Sequence, residues 1–225
     1  EAKVAIVTGD TKVVEQGKGD GVFITTTGVG VVDPALVISG DRAQPGDRII
    51  VSGPIGDHGM AIMSLRESLA FDTEIVSDTA ALHGLVAAMV DAAREQTVAG
   101  AGIKVLRDPT RGGVATTLNE IAQQSGVGMM LDEAAIPVRA QVAPACEFLG
   151  LDPLYVANEG KLLAIVAPED CERVLAAMRA HPQGVEAAVI GTVTEDAHRF
   201  VQMTTRFGGR RIVDWLSGDQ LPRIC

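Results

Sequence analysis

Four short segments carry residue types that could do chemistry together. Asp108-Pro109-Thr110-Arg111-Gly112-Gly113 follows a strand predicted at 103–106 and opens a predicted helix. Glycines at such a junction let backbone N–H groups approach an anion, and the helix dipole favours negative charge there. Arg111 can fork onto phosphate oxygens, and Asp108 can ligate magnesium. The spacing matches neither a P-loop nor a GxGxxG fingerprint. The plain alternative is a tight strand-to-helix turn capped by Asp or Thr. Thr8-Gly9-Asp10-Thr11-Lys12 sets a carboxylate beside an ammonium, which suits a metal–phosphate unit. Its rival is an Asp turn with a solvated Lys. In Ala157-Asn158-Glu159-Gly160-Lys161, a carboxylate stands where a strand begins and can project into a cleft as a general base. A surface turn is the rival there.

The fourth segment is the chain end, Pro222-Arg223-Ile224-Cys225. Gly218 and Pro222 prevent a helix from continuing into it. The residues from Ser217 to Cys225 can span about 30 Å when extended, enough to carry a thiol into a cleft and out again. The terminal carboxylate raises the thiol pKa and Arg223 opposes it, so activation by a site residue would help. A Cys in the last position is not a prenylation box. The rival is a disordered end. Cys146 and Cys171 fall on predicted helices and read as buried packing residues. His58, in the Gly-rich stretch 53–59, reads as structural rather than catalytic.

These segments need a scaffold. Leu82, Leu85, Val86, Met89, Val90 and Ala93 form one apolar stripe, which predicts a helix over 79–96 preceded by Asp78. Further helices are predicted at 59–69, with Asp57 as its cap, and at 114–125 and 138–149. Another opens at Pro168 and runs to 180. Strands are predicted at 48–52, 103–106, 128–131, 162–166, 189–193 and 200–204, and a strand pair around Val4, Ile6, Val22 and Ile24. The irregular alternation of strands and helices predicts an α+β fold, with helices on one side of a mixed sheet.

Composition narrows the classes. The 225 residues are 47% hydrophobic and 21% charged, so a packed core is expected and disorder is not. A net charge of −10 disfavours duplex nucleic acid, and 3% aromatics disfavours base-stacking platforms. No apolar run approaches a membrane span. Three cysteines at irregular spacing argue against a disulfide framework or a zinc site and point to a reducing cytoplasm. The chain opens on Glu1, and its start reads as the middle of a fold.

The terminal Pro-Arg-Ile-Cys, with Thr-Gly-Asp-Thr-Lys, Asp-Pro-Thr-Arg-Gly-Gly and Asn-Glu-Gly, closely resembles the HypE family of hydrogenase-maturation carbamoyl dehydratases. That family belongs to the superfamily of aminoimidazole ribonucleotide synthetase, thiamine-monophosphate kinase and selenophosphate synthetase. The resemblance spans essentially the whole chain. The terminal tetrapeptide is its most specific part, because the sister enzymes lack it. It implies ATP and Mg2+ bound between an N-terminal domain, which forms a homodimer, and a C-terminal α+β domain. Residues 1–39 are then expected to be a remnant of the N-terminal ATP-binding domain. Residues 40–214 would form the C-terminal domain and 215–225 a mobile tail. The family's remaining nucleotide loops would precede Glu1.

The resemblance also implies roles. Cys225 receives a carboxamide from the carbamoyltransferase HypF. ATP drives its dehydration to a thiocyanate, and the cyano group passes to the HypC–HypD complex as a ligand for [NiFe]-hydrogenase iron. Glu159 and Lys12 handle protons. Asp10, Thr11, Asp108, Thr110, Arg111, Gly112 and Gly113 line the nucleotide, with Asp10 and Asp108 on the metal. Two rivals stand beside this: an ATP-dependent small-molecule kinase or synthetase of the same superfamily, which needs no terminal thiol, and a non-catalytic fragment that docks maturation partners.

Overall fold

The computed structural model describes residues 3–19, 21–66, 74–94 and 102–216. Seven strands form one sheet: β1 (Arg48–Val51), β2 (Ile103–Arg107), β3 (Gly128–Asp132), β4 (Leu163–Val166), β5 (Ala188–Thr194), β6 (Val201–Thr204) and β7 (Arg210–Ile212). Their order is β2-β4-β1-β5-β3-β6-β7. Neighbours run antiparallel except β3 and β6, which are parallel. Five helices join them: α1 (Asp57–Arg66), α2 (His83–Arg94), α3 (Gly113–Ser125), α4 (Val142–Leu149) and α5 (Cys171–Ala180).

The helices cover both faces of the sheet, not one as expected. Ile49 and Val51 of β1 pack with Val114, Leu118 and Ile121 of α3. Ile50, between them, packs on the opposite face with Leu85 and Met89 of α2 and with Val174, Leu175 and Met178 of α5. The physical reason lies in β4. Leu163-Ala164-Ile165-Val166 is apolar at every position and fully buried, so neither of its faces can be left to water. A third cluster, around Met60, Val142, Cys146 and Val156, ties α1 to α4.

Four local differences from expectation stand out. No strand forms among the described residues of 3–39, and Val4, Ile6, Val22 and Ile24 are largely exposed. A strand needs a ladder partner for its N–H and C=O groups, and no described segment pairs with this stretch. β7 was not anticipated, because Arg-Arg-Ile has no apolar alternation; it folds back on β6 through a turn containing Gly208, at φ +83°. α2 begins at His83, so Asp78 does not cap it. Pro168 opens a single 3-10 turn, Pro168–Asp170, ahead of α5. No helix of the described residues is long and apolar enough to cross a membrane.

Candidate functional site

β2 delivers the 107–113 loop and α3 leaves it. Gly113 sits at φ +60°, and a Cβ there would lie 2.5 Å from Leu154 O and 2.6 Å from Val156 O. Only glycine lets the loop pass this close to the 153–156 backbone. The cap of α3 is Gly112, with no side-chain cap bond. Thr110 Oγ1 instead donates to Asp108 Oδ2 (2.6 Å), so the two expected capping groups hold each other. Arg107 pairs with Glu120 (2.7 Å). Arg107, Asp108, Thr110, Arg111, Thr117 and Glu120 line a cavity of about 360 Å³. The structure thus brings Asp108, Thr110 and Arg111 together beside the start of a helix, as the chemistry of an anion site requires.

Asn158 connects this loop to two others. Its side chain is buried. Oδ1 accepts from Gly56 N–H (2.8 Å), while Nδ2 donates to Pro109 O and to Val156 O (both 3.0 Å). Its own N–H reaches Pro109 O (3.3 Å). One amide side chain therefore fixes the 53–56 turn, the 107–113 loop and the segment that bears Glu159. Sequence reasoning read Asn158 only as part of a motif.

Glu159 is set by Asp78. The Glu159 N–H donates to Asp78 Oδ1 (3.1 Å), and Lys161 Nζ lies 3.3 Å from Asp78 Oδ2. A Cβ on Gly160 would fall 1.6 Å from Asp78 O, so glycine is obligatory between them. Beside this contact lies a cleft of about 430 Å³ whose walls include Asp57, Glu74, Asp78, Arg139 and Lys161. Arg139 Nε donates to Asp57 Oδ2 and its Nη2 to Glu186 Oε2 (both 2.9 Å). Burial pushes the Asp57 carboxyl above its usual range, with Arg139 opposing the shift. His58 Nδ1 contacts Ser77 Oγ (2.8 Å), and its Nε2 is buried without a hydrogen bond. Asp57, Asp78 and Arg139 gave no local signal of this cluster, since residues distant in sequence meet only through the fold.

Asp10, Thr11 and Lys12 are exposed, and among the described residues no hydrogen bond or ion pair joins them to Asp108 or Glu159. Thr11 N–H donates to the neighbouring Asp10 Oδ1 (2.9 Å). Cys225 lies outside the described residues, but the root of its tail does not. Asn119 Nδ2 donates to Val213 O (2.9 Å) and Tyr155 Oη donates to Asp214 O (3.0 Å). Asn119 belongs to α3, which the 107–113 loop opens, and Tyr155 to the 153–156 segment whose backbone Gly113 approaches. No cluster of three or more His, Cys, Asp or Glu groups able to hold a metal occurs among the described residues. Asp108 offers a single exposed carboxylate, which fits a magnesium ion whose other ligands are phosphate oxygens and water.

The other two thiols are quiet. Cys146 and Cys171 are buried; burial pushes the Cys146 pKa up to about 11 and raises that of Cys171. Both are expected to resist iodoacetamide at pH 8 in the native state and to react after unfolding. Peptide mapping checks this, and native labelling at either residue would contradict it. The raised Cys146 pKa also adds stability below its ordinary value near 9, and that contribution is lost as pH climbs toward 11.

The chain matches the family model described as AIR synthase related protein, C-terminal domain, over residues 44–204. It is 70% identical over all 225 residues to the carbamoyl dehydratase HypE of Azotobacter vinelandii, spanning 64% of that protein. A crystal structure of hydrogenase maturation protein HypE in complex with ATP aligns at a TM-score of 0.76 and 48% identity, over 84% of this chain and 55% of that one. A chain of a crystal structure of a HypE–HypF complex aligns at 0.74 and 46%, over 80% and 56%.

Proposed function

Because the chain belongs to the AIR synthase-related family through that family's C-terminal domain, we propose that it forms the larger part of a carbamoyl dehydratase of the HypE kind. The full protein converts a carboxamide on the Cys225 sulfur into a thiocyanate at the expense of ATP. HypF supplies the carboxamide, and the HypC–HypD complex takes the cyano group for [NiFe]-hydrogenase. The full protein acts as a homodimer.

The observation that carries this reading is the Asn158 junction. It holds the Asp108–Gly113 loop against the segment bearing Glu159. Tyr155, three residues earlier, donates to Asp214 O, eleven residues before the thiol.

The chemistry follows from the groups. An amide oxygen leaves poorly. Transfer of the γ-phosphoryl group to that oxygen makes it a good leaving group, and such transfer depends on positioning and cationic stabilisation. Arg111, Thr110 and the loop backbone at Gly112 and Gly113 serve that end, the Gly113 N–H itself donating to Thr110 O (3.2 Å), with Asp108 and Asp10 as magnesium ligands. One nitrogen proton leaves as the phosphorylated imidate forms, and the second leaves as phosphate departs. The products are S–C≡N, ADP and phosphate. Glu159 and Lys12 handle the protons. Enclosing the tail keeps water from the activated intermediate.

The test is the mass of the C-terminal peptide, in the full-length protein, after incubation with HypF, carbamoyl phosphate and ATP. The expected result is a carboxamide on Cys225, then ATP-dependent loss of one water. An unmodified Cys225 beside an active HypF would overturn the proposal and favour a small-molecule kinase.

A further inference from the structure

We infer that Asp78 is a positioning residue for the proposed dehydration: its buried carboxylate grips Glu159 and Lys161 on either side of Gly160, which sets where the base stands and keeps the lysine from it. The inference rests on the dehydratase reading and goes beyond it. Taking two protons from one nitrogen needs a base held within hydrogen-bond reach of that nitrogen. Among the described residues, no hydrogen bond or ion pair holds the Glu159 carboxylate. Its place is therefore set by the backbone that carries it. That backbone lies in a bend ahead of β4 and includes Gly160, the residue type with the widest torsional freedom.

Asp78 removes that freedom. Its side chain is only 2% exposed. Oδ1 accepts the Glu159 N–H at 3.1 Å, and Oδ2 lies 3.3 Å from Lys161 Nζ. A Cβ on Gly160 would meet Asp78 O at 1.6 Å and Ala80 N at 2.8 Å, so 159–161 runs close against 78–80. Asp78 is in turn held from α1. Ser77 Oγ contacts His58 Nδ1 and Thr79 Oγ1, both at 2.8 Å, and accepts from Thr79 N–H at 3.2 Å. His58 is buried in the first turn of α1. Position thus passes from α1 through 77–79 to Glu159, which gives the buried His58 a task. The ion pair adds a second effect. Lys161 stands two residues from Glu159, and an ammonium released from Asp78 would pair with the Glu159 carboxylate and occupy the lone pair that takes the proton. Held by Asp78, it leaves that oxygen free.

The test uses the full-length protein. Mass spectrometry reads carboxamide loading by HypF and, separately, single-turnover dehydration with ATP. Hydrogen exchange reads the Glu159 amide. Asp78→Ala is expected to load as the wild type does and to expose the Glu159 amide to faster exchange. It should dehydrate about a hundredfold more slowly, as for a group displaced by about an ångström. Asp78→Asn keeps the acceptor for Glu159 N–H but frees Lys161. It should therefore retain the protection and lose about tenfold in dehydration, the size of one charge-assisted contact. Adding Lys161→Met to Asp78→Asn should restore part of that rate, a recovery that a purely structural role does not produce. Three results would each overturn the inference and leave the dehydratase reading intact: Asp78→Ala dehydration within about twofold of wild type, loading and dehydration that fall together, or no recovery from Lys161→Met. If Asp78→Ala does not fold, Asp78→Asn with and without Lys161→Met decides the case. A wild-type Cys225 that accepts no carboxamide would instead sink the dehydratase reading, and the role of Asp78 with it.

Discussion

Replacing Cys225 by Ala in the full-length protein is expected to abolish carboxamide loading altogether. Loading requires a sulfur nucleophile that can leave the protein surface for the carbamoyl donor and return to the nucleotide. Neither other thiol can substitute. Cys146 and Cys171 are buried, and burial raises the pKa of both, to about 11 for Cys146, so the thiolate fraction at neutral pH is negligible. The same substitution should change stability by no more than about 0.5 kcal/mol, as for other changes outside a packed core. The paired measurements are the mass of the C-terminal peptide and the urea midpoint. Loading that persists in Cys225→Ala would refute the assignment, and a large shift in midpoint would mean the tail has a structural task.

The second large effect is expected at Asn158. Asn158→Ala removes one acceptor and two donors from a buried position. It leaves Gly56 N–H without that acceptor, and Pro109 O and Val156 O without those donors. An unpaired buried group costs about 1–3 kcal/mol and a lost hydrogen bond about 1 kcal/mol, so a loss of about 3 kcal/mol is expected in urea unfolding. The functional loss should exceed what partial unfolding explains. The 107–113 loop and Glu159 would no longer share a fixed support, and misplacement by an ångström can cost about a hundredfold in rate. Asn158→Asp keeps the bond from Gly56 and loses the two donated ones, so it should fall between wild type and Ala. A shift below about 1 kcal/mol for Asn158→Ala would show that water or the backbone compensates.

The elements that carry the site were legible because their signals are local. The apolar run of β2, the Asp-Pro-Thr-Arg-Gly-Gly turn and the periodic stripe of α3 lie next to one another in the chain, and each follows from neighbours within a few residues. The stripe over 82–93 marked α2 for the same reason, although its start moved to His83. Two expectations failed where local pattern was insufficient. Val4, Ile6, Val22 and Ile24 have β character but no ladder partner among the described residues, and a strand is a property of a pair. The expectation of helices on one face also failed. β4 announced burial on both faces, but which helix covers which face depends on packing.

By itself the sequence determined the main strands and helices from 48 to 204, the strand-to-helix turn at 108–113 and the thiol at position 225, because periodicity, turn chemistry and position are written residue by residue. Only the tertiary structure decided that Asn158 joins Gly56, 102 residues away, to Pro109, 49 residues away, and that Asp78 supports Glu159 across 81 residues. It alone decided that Val213 O and Asp214 O accept from Asn119 and Tyr155. Those bonds depend on which loops the folded sheet brings within about 3 Å, and hydrogen-bond geometry between distant segments leaves no periodic trace in either.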